Sequence, residues 1–208
     1  MTALDHAAEL LDRALSYTRI TLDDVTDADL GRRTPCTDWD LGRLLAHMED
    51  GLDAFVEGAH GSVALEDRVP ARVRVTRLQE KACALRTAWV GAAPPATVRI
   101  GDRPVDTYVV ALAAALEITV HGWDVGQAVG IDRPIPARLA EGLLPVATAL
   151  VTDADRGDRF GEPRPVAADA LPQLRLLGFL GRDDCPGVRA SAQGQIPGNR
   201  RTGGAAGS

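Results

Sequence analysis

The sequence predicts an all-α protein, built as a bundle of long helices. Apolar residues recur at three- and four-residue spacing through several segments of about twenty residues, as on one face of a helix. Glycine and proline mark the ends of these segments, where they stop a helix. We expect little or no β structure, because only the short segment 97–104 indicates extended chain, as a turn with brief flanks.

Helix one is predicted over residues 2–20. Its apolar positions have helical spacing and are Leu4, Ala7, Ala8, Leu11, Ala14 and Leu15. Residues 21–36 form a polar connection, and the segment from Thr26 to Asp29 within it is predicted as a capped turn.

Helix two is predicted to follow Thr37, its expected N-cap. Asp40 lies three residues later, and Asp38 and Asp40 in the first turn suit the positive end of the helix dipole. Its apolar face is formed by Leu41, Leu44, Leu45, Met48, Leu52, Phe55 and Val56. His47 stands at the border of that face.

Helix three, at about 70–90, has the most regular periodicity in the chain. Its apolar positions alternate four- and three-residue steps, as a bundle seam requires. They are Ala71, Val75, Leu78, Ala82, Leu85 and Trp89.

Helix four is predicted from about 106 to 128, with Asp106 or Thr107 as its cap and Gly130 beyond its end. It is apolar on most sides, so we expect it to be the most buried helix. A fifth helix is predicted at 137–152, after two prolines. A loop and a last short helix follow, at 153–168 and about 169–180.

Length and composition indicate one domain. The 208 residues carry a net charge of −6 with no basic cluster, which argues against nucleic acid as a partner. The apolar runs are too short or too rich in alanine to predict a membrane span. Acidic residues interrupt the N-terminal apolar positions, so we expect no signal peptide and a cytoplasmic protein. We assign residues 1–186 to a helical domain and 187–208, rich in Gly, Ala and Ser, to a disordered tail.

The three cysteines are Cys36, Cys83 and Cys185, widely spaced and without a C-x-x-C motif. Neither a disulfide framework nor a cysteine zinc site is therefore indicated. Cys36 is a weak candidate nucleophile, since it lies near a predicted helix N-terminus but has no evident base.

Glu117 and His121 are the residues most indicative of chemistry. They lie four residues apart in the apolar run 105–120, so a helix projects both from one face. Burying either side chain alone is costly, and a divalent metal would satisfy both. His47 is the best candidate for a third ligand. Two His and one Glu leave a coordination position open, as in catalytic rather than structural zinc sites.

Other interpretations of these three residues stay open. His47 also fits a partly exposed histidine on an amphipathic helix. Glu117 is hard to explain as core filling, because glutamate is rarely buried without a partner, but an ion pair with an arginine such as Arg43 would account for it.

Three further residues are expected near the metal. Asp124, three residues after His121, either orients an imidazole from behind or is a solvated residue near the helix end. Trp39 and Trp123 are expected to lie close by, as packing residues or as contacts for a bound cofactor.

The motifs that carry these residues resemble those of a known family. TPCTDWDL at 34–41, followed by LLAHM at 44–48, is similar to the second-helix motif of the mycothiol-dependent maleylpyruvate isomerase group. EITVHGWD at 117–124 resembles its second signature, and 168–181 resembles its usual ending. The group belongs to the DinB-like metal-binding superfamily, and the similarity covers roughly residues 3–181.

The resemblance implies an up-down four-helix bundle with extra short C-terminal helices. It implies a divalent ion, zinc by family likeness, on His47, Glu117 and His121, although Ni, Fe or Co suit the same donors. Asp124 would complete the catalytic set. The co-substrate of such proteins is mycothiol, and the reactions are cis–trans isomerisation by reversible thiol addition or thiol transfer to a small electrophile. An actinobacterial source is expected.

The isomerase itself carries an additional C-terminal domain, whereas this chain ends in a short helix and a tail. We therefore expect a related thiol transferase, or an enzyme acting on another small electrophile, as readily as a maleylpyruvate isomerase. Two other functions stay open. One is a thiol-independent, metal-assisted lyase, hydrolase or cyclase; the other is a non-catalytic metal- or ligand-binding module. We expect a monomer or a homodimer.

Overall fold

The computed structural model describes residues 2–36, 39–60, 71–91, 95–157 and 160–182. The predicted cap Thr37, its neighbour Asp38 and the predicted tail 187–208 lie outside these residues, as does Cys185.

The prediction of an all-α fold is confirmed. The helices are α1 (Ala3–Leu22), α2 (Leu41–His60), α3 (Ala71–Gly91), α4 (Thr107–Val129), α5 (Ala137–Leu150) and α6 (Pro172–Phe179). Single 3₁₀ turns occur at Asp27–Asp29 and Asp153–Asp155. The first of these is the predicted capped turn, in which Thr26 and Asp29 cap each other.

Helices α1 to α4 form the bundle. Helix α1 packs against α3 and α4, and α2 packs against the same two helices, so the order around the bundle is α1, α4, α2, α3. Helix α5 packs against α4, α1 and α6. Each helix turns its apolar face into one continuous core, which explains why the predicted periodicity holds in the folded chain.

Helix α2 begins at Leu41, with Asp40 in the cap position. Asp40 Oδ1 accepts a hydrogen bond from the backbone N–H of Arg43 at 2.8 Å. The preceding connection supplies further acceptors: the carbonyl of Arg32 receives the N–H of Leu41, and that of Leu30 receives the N–H of Gly42, both at 2.9 Å. The backbone N–H groups of the first turn are thus hydrogen-bonded by carbonyls of the α1–α2 connection as well as by the cap residue Asp40.

The segment 97–104 belongs to a small hairpin, whose turn is formed by Gly101 and Asp102. Strand β1 (Thr97–Ile100) pairs antiparallel with β2 (Arg103–Asp106), and Gly101 adopts a positive φ of 59° in the turn between them. The predicted extended flanks are therefore present, as a minor addition to a helical fold.

Helix α4 has the largest set of buried residues, as predicted, and ends at Gly130, whose φ of 82° suits a glycine cap. It is long and apolar enough to cross a membrane by composition alone, but 72% of that window is buried inside the protein. A Cβ added at Gly122 would lie 2.2 Å from Thr18 Oγ1. The missing side chain lets α4 approach α1 closely.

Candidate metal centre

The three predicted ligands come together between α2 and α4. One ligand atom each from His47, Glu117 and His121 lies within 4.8 Å of the others. His121 Nε2 is 3.1 Å from Glu117 Oε2. The rings of His47 and His121 meet edge to face, with their centroids 5.1 Å apart. Helix periodicity brings Glu117 and His121 together, whereas the packing of α2 on α4 supplies His47.

Asp124 holds the other nitrogen of His121. Its Oδ2 lies 3.2 Å from His121 Nδ1, and its side chain is 0% exposed. The structure therefore excludes the solvated interpretation of Asp124. A carboxylate that accepts the Nδ1 proton orients the imidazole ring and directs Nε2 toward Glu117 and His47.

Arg182 neutralises the buried carboxylate of Asp124. Its Nε donates to Oδ1 at 3.1 Å and its Nη2 to Oδ2 at 3.0 Å, a two-point contact in which Arg182 is itself only 5% exposed. Burial would raise the pKa of Asp124, but the guanidinium charge and the hydrogen bonds from His121 and Arg182 lower that pKa to about 2. Asp124 is thus ionised at neutral pH.

His121 sits in surroundings that favour a positive charge. Its burial lowers the pKa, but hydrogen bonds with Asp124, Cys36 and Glu117 outweigh that effect, and the pKa lies well above the ordinary value. A bound cation at Nε2 satisfies the same surroundings as a proton does. The carboxylates of Asp124 and Glu117, on either side of the His121 ring, therefore favour either a proton or a metal ion at Nε2.

Two cavities meet at the cluster. The first, of about 300 Å³, is called the apolar chamber below. Besides the three candidate ligands, it is lined by Leu15, Thr18, Arg19, Leu22, Met48, Gly51, Leu52, Phe55, Leu78, Gln79, Ala82, Ala113 and Ile118. It lies within the bundle, between residues of α1, α2, α3 and α4.

The second cavity, of about 480 Å³, is called the polar chamber below. It is lined by the same three ligands and by Pro35, Cys36, Trp39, Arg43, Leu116, Val120, Gly157, Phe160, Gly161, Gly181 and Arg182. Among the residues that the structure describes, His47, Glu117 and His121 alone line both chambers.

The two tryptophans have different positions. The ring of Trp39 lies 4.8 Å from that of His47, lines the polar chamber, and carries the guanidinium of Arg43 at 5.1 Å from its centroid. Trp123 is 2% exposed and packs in the hydrophobic core instead. It lies two residues after His121, and a helix turns such a pair to opposite sides. Of the two predicted cofactor contacts, the structure brings only Trp39 to the cluster.

Cys36 also reaches the site. Its Sγ lies 3.3 Å from Asp124 Oδ2 and 3.2 Å from Arg182 Nη2. Cys36, His121 and Asp124 form a second group with ligand atoms within 4.8 Å. Asp124 is already engaged by two donors of Arg182, so the first group is the better candidate for a metal site.

Sequence reasoning missed Arg182. It follows α6 in a segment with no periodicity of its own, and its partner Asp124 lies 58 residues earlier. The sequence signal that remains is a single cation directly after an apolar helix end, which is too common to identify a site.

The donor set fits a divalent ion of the zinc type. Imidazole nitrogen and carboxylate oxygen are ordinary ligands of zinc, nickel, iron and cobalt. Three protein side chains would hold the ion, and Asp124 contacts the far nitrogen of His121, where a carboxylate that orients a ligating imidazole is expected. Fold and site together define a helical bundle with a candidate divalent-metal site between two of its helices.

The chain belongs to the family described as mycothiol maleylpyruvate isomerase N-terminal domain, whose profile matches residues 11–126. The matched segment contains α2 and nearly all of α4, and so all three candidate ligands. It ends before Arg182.

The curated relatives carry no assigned activity. Two uncharacterized proteins of Mycobacterium tuberculosis, one from strain CDC 1551 / Oshkosh and one from another strain, are each 28% identical over 158 residues. The alignment covers 74% of this chain and 85% of each relative. No solved structure matches the chain significantly.

Proposed function

We propose that this protein is a metal-dependent enzyme of small-molecule thiol chemistry. It uses mycothiol as co-substrate, and either isomerises a small electrophile or transfers the thiol to it. The observation that carries this proposal is the convergence of His47, Glu117 and His121 at the junction of two chambers. Two reactants can thus reach one cation from different sides. Membership of a mycothiol-related family supports the choice of thiol.

A divalent cation held by these donors would lower the pKa of a thiol bound to it, so that the thiol is deprotonated at neutral pH. The chain's own residues hold the donors in place. Asp124 accepts from His121 Nδ1 and fixes its ring, and Arg182 fixes Asp124 in turn. Trp39 limits the freedom of the His47 ring by edge contact. Zinc is the ion we propose, with nickel, iron and cobalt as outcomes of the metal analysis.

The proposed reaction conserves atoms without an oxidant. In thiol addition, a sulfur–carbon bond forms at one carbon of an activated double bond, and the thiol proton ends on the neighbouring carbon. Rotation about the resulting single bond, followed by loss of the same thiol and proton, gives the other isomer. If the adduct is released instead, the reaction is a thiol transfer.

The remaining proposals concern where the protein works. We propose a cytoplasmic enzyme, monomeric or homodimeric, that binds neither nucleic acid nor membrane. The net charge of −6 argues against nucleic acid as a partner, and the burial of most of the apolar window of α4 argues against a membrane span.

Elemental analysis of the purified protein tests the metal site. We expect about one metal ion per chain in the wild type and loss of metal in His47→Ala and Glu117→Ala, because each removes a ligand of a three-donor site. His6→Ala and Glu141→Ala are matched controls, since both residues are exposed on helices outside the cluster. A wild type that stays metal-free after reconstitution would overturn the proposal.

Assays with and without mycothiol separate the reactions. Turnover of an electrophile panel that requires both thiol and metal supports the proposed function. Turnover with metal alone would identify a lyase, hydrolase or cyclase instead. Stoichiometric metal without turnover on the panel would indicate a binding module.

A further inference from the structure

The apolar chamber presents mostly hydrocarbon side chains to a ligand. Most of its lining is aliphatic or aromatic, and the three candidate ligands are part of that lining. Its other polar groups are few. Thr18 Oγ1 already donates to the carbonyl of Ile118 at 2.8 Å, and Gln79 Nε2 donates to Asp23 Oδ1 at 2.6 Å. Arg19 is exposed.

The polar chamber differs in the groups that it offers. Arg43, Arg182, Cys36 and the indole of Trp39 line it, together with backbone at three glycines. Of the two guanidinium groups, Arg182 is paired with Asp124, and that of Arg43 suits a polar, water-soluble thiol with hydroxyl or carboxylate groups. The two chambers therefore differ in chemistry while sharing the candidate metal ligands.

We infer that the electrophile carries an apolar body, alkyl or aryl, which fills the apolar chamber, while the thiol enters through the polar chamber. This inference rests on the proposed function for its reactive end. It follows from desolvation, since the aliphatic and aromatic walls offer a second carboxylate on the substrate no partner, and the one cation among the described lining residues, Arg19, is exposed. The volume of about 300 Å³ equals that of roughly ten water molecules at ~30 Å³ each, and so fits a body of roughly ten non-hydrogen atoms.

Gly51 provides a way to narrow this chamber without replacing a candidate metal ligand, although it lies one helical turn after His47. It lies on α2 and lines the apolar chamber, and a Cβ built on it meets no atom within 4 Å. A leucine at this position therefore grows into open space and also favours the helix. Gly31 is a matched control, because it is exposed, lies outside both chambers and likewise has no atom within 4 Å of a built Cβ.

Straight-chain hydroxamates test the inference, since the hydroxamate group binds a metal and the chain probes the wall. With metal-loaded protein, calorimetry should show affinity rising about fourfold per added methylene group. From acetohydroxamate to hexanohydroxamate the gain should be on the order of a hundredfold. Succinic acid monohydroxamate, which ends in a carboxylate, should bind no more tightly than acetohydroxamate. Gly51→Leu should remove the gain with chain length while retaining its metal, and Gly31→Leu should behave as the wild type.

A second probe works without metal. Saturation-transfer NMR on metal-free protein should detect 1-hexanol in the wild type and in Gly31→Leu, but not in Gly51→Leu. If the affinity for hydroxamates does not depend on chain length, or is unchanged in Gly51→Leu, the assignment of the apolar body is wrong. The proposed metal site is not contradicted by that result. If hydroxamates fail to bind but 1-hexanol binds as expected, the proposed metal function fails and the chamber assignment holds. Failure of both probes overturns both.

Discussion

Replacing Arg182 by methionine tests how the C-terminal segment holds the candidate site. Methionine keeps much of the side-chain volume but leaves Asp124 ionised, fully buried and without its guanidinium partner. Removing one partner of a buried pair costs about 3–5 kcal/mol, because the other charge stays desolvated. We expect that loss in the free energy of unfolding, and a fall in melting temperature of roughly 10 °C for a domain of this size.

Urea denaturation of metal-free protein at pH 7 measures this loss. Arg175→Met is the matched control, since Arg175 is exposed on α6 and the change should stay within about 0.5 kcal/mol. The double variant Asp124→Asn, Arg182→Met removes both charges and should be more stable than Arg182→Met alone. The coupling in that cycle should exceed about 1 kcal/mol.

The pH dependence of the free energy of unfolding tests independently whether ionised Asp124 stabilises the folded wild type. Because the folded pKa of Asp124 is about 2, below the ordinary value of 3.8, its ionisation stabilises the wild type above the ordinary value and loses that effect as pH falls toward 2. In Arg182→Met, burial without the guanidinium raises this pKa, although His121 still faces the carboxylate. The difference in stability should therefore shrink between pH 7 and pH 3. A variant within 1 kcal/mol of the wild type at pH 7 would refute the reasoning.

Three further changes have expected outcomes. Gly122→Ala should lower the free energy of unfolding by about 1–3 kcal/mol in urea, because its Cβ meets Thr18 at 2.2 Å; a loss below 0.5 kcal/mol would contradict the close approach of α1 and α4. Asp124→Asn should weaken metal binding about 10–100-fold in competition with a chromophoric chelator, through the looser His121 ring; unchanged affinity would argue against that role. Gly130→Ala should cost about 1 kcal/mol in the same denaturation assay, since its φ is 82°, and an equally stable variant would speak against the left-handed cap.

Local patterns determined most of the helical architecture. The spacing of apolar residues predicted six helices close to their observed bounds, because each pattern follows from the geometry of one helix. The meeting of Glu117 and His121 follows from the same local geometry. The same geometry turns Trp123 away from His121, whereas the sequence analysis predicts Trp123 close to the metal.

The beginning of α2 shows where local rules stop. Thr37 and Asp40 both have side chains suited to capping, and their sequence alone favoured the first. The folded chain places the carbonyls of Leu30 and Arg32 against the first turn, and the helix begins at Leu41. Those acceptors come from the preceding connection, whose path the α2 sequence does not contain.

The candidate site likewise has one part that the sequence determines and one part that depends on tertiary packing. The sequence by itself determined which residues offer donor atoms, namely His47, Glu117 and His121, since an isolated carboxylate and imidazole in apolar helices need partners. Only the tertiary structure decided that His47 approaches the other two, that Asp124 is buried behind His121, and that Arg182 neutralises it. The physical reason is the distance along the sequence over which each effect acts. Helix geometry links residues a few positions apart, whereas desolvation and charge pairing depend on packing between segments distant in the chain.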